Sequence, residues 1–189
     1  EIGRLAASFN TMADEIRERE RRILHMAMHD SETGLPNRRA LEQALDQAGR
    51  APAGGDIYVA VVGIERFAHI RNAIGYRLAG DMVRKIGGRL QATAPHGHAA
   101  RVSSEALGLI LDSADADKAL VEAGQLLDLL QSPISVEGET IDVELTLGLA
   151  PLEDQSSALA VDRANIALDQ ARAARAKVAT FDAAAYGDP

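Results

Sequence analysis

The chain has no cysteine and no tryptophan, and Phe and Tyr contribute only three residues each. Without thiols there are no disulfides and no thiolate metal sites, which fits a reducing compartment. No apolar run approaches the roughly 18 residues that a membrane span needs, and no signal-peptide pattern opens the chain. Cations are in the minority, 20 Lys and Arg against 28 Asp and Glu, for a net charge of -8. That balance opposes a surface built to neutralise phosphate backbones, so nucleic acid is not an expected partner.

What is present suffices for one core. The 189 residues are 47% apolar, enough for a single globular domain, and the N-terminal stretch differs from the rest. There Ile2, Leu5, Phe9, Met12, Ile16, Ile23 and Met26 follow a 3-4 alternation that only Arg19 interrupts. Charged residues fill the intervening positions. A lone helix would leave this seam in water, whereas a parallel homodimer would bury it knobs-into-holes; the alternative is a helix packed on its own domain. The opening "EIGRLAASFN", without an initiator Met, and the ending "AAAYGDP" suggest a piece of a longer chain.

After the arm, Gly34 and Pro36 break the helix and Asn37 is placed to cap the next one, whose buried stripe is Leu41, Ala44, Leu45 and Ala48. "APAGGD" is a loop. Ile57 to Ile64, "IYVAVVGI", is a nearly continuous β-branched run, the pattern of a central strand covered on both faces. A helical stretch from Arg71 to Thr93 follows, with Gly75 and Gly80 marking a break. "ARVSSEALGLIL" (100 to 111) reads as a hairpin about a four-residue polar turn that carries Glu105. A helix over "DKALVEAGQLLDLL", two strands joined by "EGET", an Ala-rich helix from Ser157 to Ala174 and the short run "KVATF" complete the chain. The alternation predicts an α/β sandwich with a mixed sheet.

Several of these stretches resemble one family. "HDSETGLPNR" resembles the "HDxLTGLxNR" opening of GGDEF domains, the bacterial diguanylate cyclases that join two GTP molecules into cyclic di-GMP. "GIERFAHIRNAIGYRLAGD" resembles their "DxDxFKxINDxxGHxxGD", and "RVSSEALGLIL" stands where "RxGGDEF" belongs. "VELTLGLA" and "ANIALDQARAARAK" follow in order. The resemblance implies a palm-like, ferredoxin-related βααββαβ domain over 29-183, preceded by a HAMP-like signalling helix at 1-28 and followed by a linker at 184-189 toward an EAL domain. It further implies the cytoplasmic portion of a bacterial inner-membrane signalling protein, touching the membrane only through upstream segments.

The same resemblance implies a damaged site. Joining a ribose 3'-hydroxyl to an α-phosphate needs divalent metal held by carboxylates. The first acid of "DxDxFK" is Gly63 here, the phosphate-binding Lys is Ala68, and the hairpin reads Ser103, Ser104, Glu105, Ala106. The expectation is therefore a catalytically inactive module with no catalytic residue and no required cofactor, Glu105 being the one remaining metal-ligand candidate. Asn72 and Asp81 are candidate guanine contacts, although one inserted residue between Phe67 and Gly80 disturbs the register. The other readings are a surface position for Asn72 and a helix N-cap for Asp81. Arg172 replaces a late phosphate-binding Lys; beside Arg175 and Lys177 it also reads as part of a solvated face. GTP is the candidate ligand, with Mg2+ as its companion. The alternative function is an active cyclase in which Glu65 substitutes for the missing acid. The "RxxD" product-inhibition motif falls on Ala94 and Gly97, so no such site is expected. His29-Asp30 is read as a structural brace, and His96 with His98 as a weak metal pair that lacks a third ligand.

Overall fold

The computed structural model describes residues 1-50, 54-93, 98-153 and 156-186. Helix α1 (Ile2–Met28) is continuous and buries none of its residues. It is followed by α2 (Arg38–Ala48), β1 (Asp56–Ile64), α3 (Phe67–Ile74), α4 (Tyr76–Thr93), β2 (Ala100–Ser103), β3 (Ala106–Ser113) and α5 (Ala116–Leu130). Then come β4 (Ile134–Val136), β5 (Glu139–Ile141), β6 (Leu145–Pro151), α6 (Ser157–Ala173), β7 (Val178–Thr180) and α7 (Ala183–Tyr186). The expected βααββαβ order is present, and α6 and β7 extend it. The residues Ala94, Gly97 and His96 lie outside the described residues, as does 187-189 of the expected linker, which opens within α7.

The main sheet runs β2-β3-β1-β6-β7. It is mixed, as expected: β1 is antiparallel to both β3 and β6, while β6 and β7 are parallel. The apolar run of β1 makes it the middle strand. Its Tyr58, Ala60, Val62 and Ile64 join the larger core with Met82, Ile86, Leu109 and Leu127, and its Val59 and Val61 join the other face with Leu41, Leu45 and Leu168. Burial on both faces is why these positions do not alternate with polar residues.

Three local readings change. The helical stretch breaks at Gly75, whose φ of +86° suits glycine, but not at Gly80, which is buried inside α4. The β2–β3 turn is two residues long, Ser104 and Glu105, not four. The "EGET" hairpin forms a separate two-stranded sheet, β4–β5, so the strand expected after it divides into β5 and β6.

Helix α6 lies unusually close to the sheet. Ala160, Ala164, Ala167 and Ala171 form its buried side, and Gly148 of β6 lets its backbone approach: a Cβ there would run into Leu168 N and Ala164 O. This approach carries the last turn of α6, with Arg172, over the end of β1.

Candidate functional site

The site expected from the sequence centres on the end of β1. Gly63 is paired with Ala106 on one side and Thr146 on the other, and Ile64 N donates to Glu105 O at 2.8 Å. The strand therefore ends against the hairpin turn. Beyond it Glu65 and Arg66 turn the chain into α3, with Arg66 at φ +54° and Phe67 buried. Ala68 follows, exposed in the first turn of α3.

The space above Gly63 is filled. A Cβ at Gly63 would lie 2.6 Å from Arg172 Nη2 and 2.9 Å from Leu168 Cδ2. Arg172 Nε donates to Glu65 Oε1 at 2.8 Å, and its Nη1 lies 3.4 Å from Asp169 Oδ1. Burial works against the Arg172 charge, but its hydrogen bond to Glu65 and the negative charges of Glu65, Glu105 and Asp169 raise its pKa above the ordinary value. Arg172 is thus no member of a freely solvated face; it bridges α6 to the end of β1. Glu65 belongs to the turn after β1, and its carboxylate is engaged by the guanidinium that covers Gly63. Arg172, Glu65, Arg66, Glu144, Arg175 and Lys177 line one cleft of about 470 Å3.

A divalent metal does not fit this arrangement as it stands. Among the described residues no three Asp, Glu or His side chains gather closely enough to hold one, and a cation already stands above Gly63.

The hairpin is held from its other side by Arg101, which sequence reasoning did not single out. Its side chain is 5% exposed. Nη1 donates to Asp30 Oδ2 at 2.9 Å and Glu32 Oε2 at 2.6 Å, while Nε and Nη2 hold the carbonyls of Ser103 and Ser104. Asp30 also accepts from the amide and hydroxyl of Thr33. Burial acts to raise the Asp30 carboxyl, but the Thr33 and Arg101 hydrogen bonds outweigh it and hold the carboxyl below its usual range. Asp30 is therefore a brace between the segment after α1 and the hairpin. The signal for it was an Arg opening a strand in a buried context, a residue that is almost never buried unpaired.

The nucleotide candidates are dispersed. Glu105 O accepts from Ile64 N at the end of β1, and Arg172 lies over Gly63 at the same end. Asp81 lies within α4, in its second turn, and does not cap it: Oδ1 accepts from Arg84 Nη1 at 2.6 Å and Oδ2 lies 3.7 Å from Arg77 Nη1. Arg84 in turn donates to Thr33 O, so Asp81 belongs to the cluster around Asp30. Asn72 is exposed on α3.

The model of the family described as "Diguanylate cyclase, GGDEF domain" matches residues 27–177. Diguanylate cyclase DgcP of Pseudomonas aeruginosa is 35% identical over 159 residues, covering 78% of this chain and 23% of that protein. Diguanylate cyclase TpbB of the same species is 31% identical over 166 residues, covering 79% and 37%. The chain thus spans well under half the length of these relatives. Among solved structures, the coiled coil and GGDEF domain of DgcB from Caulobacter crescentus, in complex with c-di-GMP, superposes with a TM-score of 0.76. At 21% identity over 94% of this chain and 97% of that one, the likeness shows the shared α/β fold with its long N-terminal helix. No helix among the described residues is long and apolar enough to cross a membrane. With a family-model match that runs from the end of α1 to the residue before β7, the chain belongs to the GGDEF diguanylate cyclase family.

Proposed function

We propose that this chain is a catalytically silent GGDEF module of cyclic di-GMP signalling, which transmits or scaffolds a signal toward an attached EAL domain and binds GTP weakly. The observation that carries this reading is the pair of positions at the end of β1 that have lost their acids: Gly63 and Ala106, neighbours across the sheet, offer no carboxylate, and Ala68 offers no cation. Each lost group of this kind costs a factor of about 10² or more in rate. Held without the usual metal, GTP would bind with low affinity and little dependence on Mg2+. In this reading α1 forms a parallel homodimer, because all seven apolar seam residues are exposed in the single chain. Upstream, a HAMP relay would deliver a signal from a membrane-anchored sensor.

The alternative is a working cyclase with displaced ligands. The names of the relatives favour it, as do the acids at Glu65 and Glu105. Against it stands the Glu65 carboxylate's bond to Arg172 at 2.8 Å. A calorimetric titration with GTP, with and without Mg2+, together with an assay for cyclic di-GMP, separates the readings. Weak heat that Mg2+ barely changes, and no product, is the expected result. Product formation would replace this reading with the cyclase. No heat at all would leave a scaffold that does not read GTP.

A further inference from the structure

We propose that Arg172 is a built-in cation that takes the place of a divalent metal at the strand end shared by Glu65 and Glu105, so that the end of β1 neutralises its own carboxylates and excludes metal. The inference rests on the reading above only in regarding the cleft as the remnant of a nucleotide site; its charge argument is independent.

Glu65 and Glu105 enter from opposite sides of the end of β1, one from the turn into α3 and one from the β2–β3 turn. Glu105 O accepts from Ile64 N, the residue before Glu65, so both acids belong to one strand end; carboxylates gathered there repel each other, and the ordinary remedies are protonation, a metal ion or a cationic side chain. Here the third applies. The Arg172 guanidinium bonds Glu65 at 2.8 Å and interacts electrostatically with Glu105. Three features hold it there. The close approach of α6 at Gly148 fixes its Cα, Leu168 packs beside it above Gly63, and the absence of a side chain at Gly63 leaves room for Nη2. A planar guanidinium suits this role because it cannot be deprotonated and presents several donors in fixed directions. The glycine and the arginine therefore act as a pair. A carboxylate at position 63 would meet the guanidinium before it could meet a metal.

Removing Arg172 alone leaves two acids without a counter-ion, enough for a weak site in which a hard cation keeps several waters. Titration of Mn2+ into the intact chain, followed by the loss of free-ion paramagnetic resonance, tests this without GTP and without turnover. The native chain and Gly63→Asp should show no saturable site. Arg172→Met should acquire one, tighter than any residual binding of the native chain by at least about tenfold, the least that loss of one adjacent positive charge implies. Gly63→Asp with Arg172→Met should bind tighter still, Glu65→Gln added to Arg172→Met should abolish the gain, and Arg172→Lys should again exclude the metal. Folding of each variant is checked by thermal melting. A saturable, Glu65-dependent site in the native chain would overturn the proposal. So would Gly63→Asp binding Mn2+ as tightly as the double variant, or a folded Arg172→Met that binds no better than native. Should Arg172→Met fail to fold, the Gly63→Asp and Arg172→Lys arms still decide, since saturable binding in either contradicts an occupied site. A chain that ignores GTP would sink the function proposed above and leave this result unaffected.

Discussion

Gly63 and Ala106 are direct partners across the antiparallel β1–β3 ladder. Two positions without acids thus stand side by side at the end of the central strand, against the hairpin turn, with the Arg172 guanidinium covering one of them. The loss of charge is local and paired, while the strands that carry it keep an unbroken register over the length of β1.

Restoring acids alone should therefore restore nothing. Gly63→Asp combined with Ala106→Glu is expected to produce no measurable cyclic di-GMP from GTP and Mg2+, since the displaced Arg172 guanidinium would pair with the new Asp and Ala68 still lacks a cation. Product at a rate within about a hundredfold of a working cyclase would contradict this, because each absent group alone should cost about that factor.

Arg101 should be among the costliest side chains to remove. Its guanidinium is almost fully buried and bonds two carboxylates and two hairpin carbonyls. Arg101→Met is expected to destabilise the domain by about 3 kcal/mol, the range for breaking one partner of a buried ion pair. Urea denaturation measures it, and a loss comparable to a surface substitution would show that the network carries little stability.

Asp30 makes the same network sensitive to acid. Its folded pKa lies below the ordinary carboxylate value, so its contribution is complete above that ordinary value and is lost as pH falls through the lowered one. Native stability should thus decline through the acid range below about pH 4. Asp30→Asn should be less stable at neutral pH and show a shallower decline. Parallel pH profiles for the two chains would refute the assignment.

How much of this was legible in the sequence follows from which interactions are local. The β-branched run of β1, the Asn37 cap, whose side chain accepts from Ala40 N, and the place, though not the length, of the Glu105 turn are set by neighbouring residues, and each was readable. Family motifs located Gly63, Ala68 and Ala106 by substitution. Of the two readings of Arg172, a phosphate-site candidate and part of a solvated face, the second fails because its partners, Glu65 and Gly63, lie over a hundred residues away, and nothing on α6 announces them. Gly80 read as a helix break because composition alone cannot distinguish a conformational glycine from one buried in a helix. The N-cap reading of Asp81, the alternative to a guanine contact, assumes that a helix starts near Gly80, whereas α4 starts at Tyr76.

Helix α1 offers a direct test of assembly. Its seam residues Ile2, Leu5, Phe9, Met12, Ile16, Ile23 and Met26 are all exposed, and burying large apolar side chains contributes about 1.5 to 3 kcal/mol each before ordering costs. Sedimentation should find a dimer for the whole chain and a folded monomer after deletion of residues 1-28. An unchanged dimer would move the interface to the globular part.

The glycines supply a pair of predictions with opposite sign. Gly148 lies where β6 meets the backbone of α6, and a Cβ there would collide with Leu168 N and Ala164 O, groups that cannot turn aside as a flexible side chain can. Gly148→Ala should push α6 from the sheet and cost about 1 to 3 kcal/mol, the usual range for overpacking. Gly124, in the middle of α5, has nothing within 4 Å of the equivalent position, and Gly124→Ala should stabilise by about 0.5 to 1 kcal/mol through lower backbone entropy in the unfolded chain. The Gly148 variant has a second consequence that the Gly124 variant lacks. Because α6 carries Arg172, its displacement should loosen the contact with Glu65 and expose the end of β1. Hydrogen exchange should accordingly accelerate around Ile64 and Glu105 in Gly148→Ala while staying native in Gly124→Ala. Equal protection in both would mean that the seating of α6 on β6 does not govern the position of Arg172.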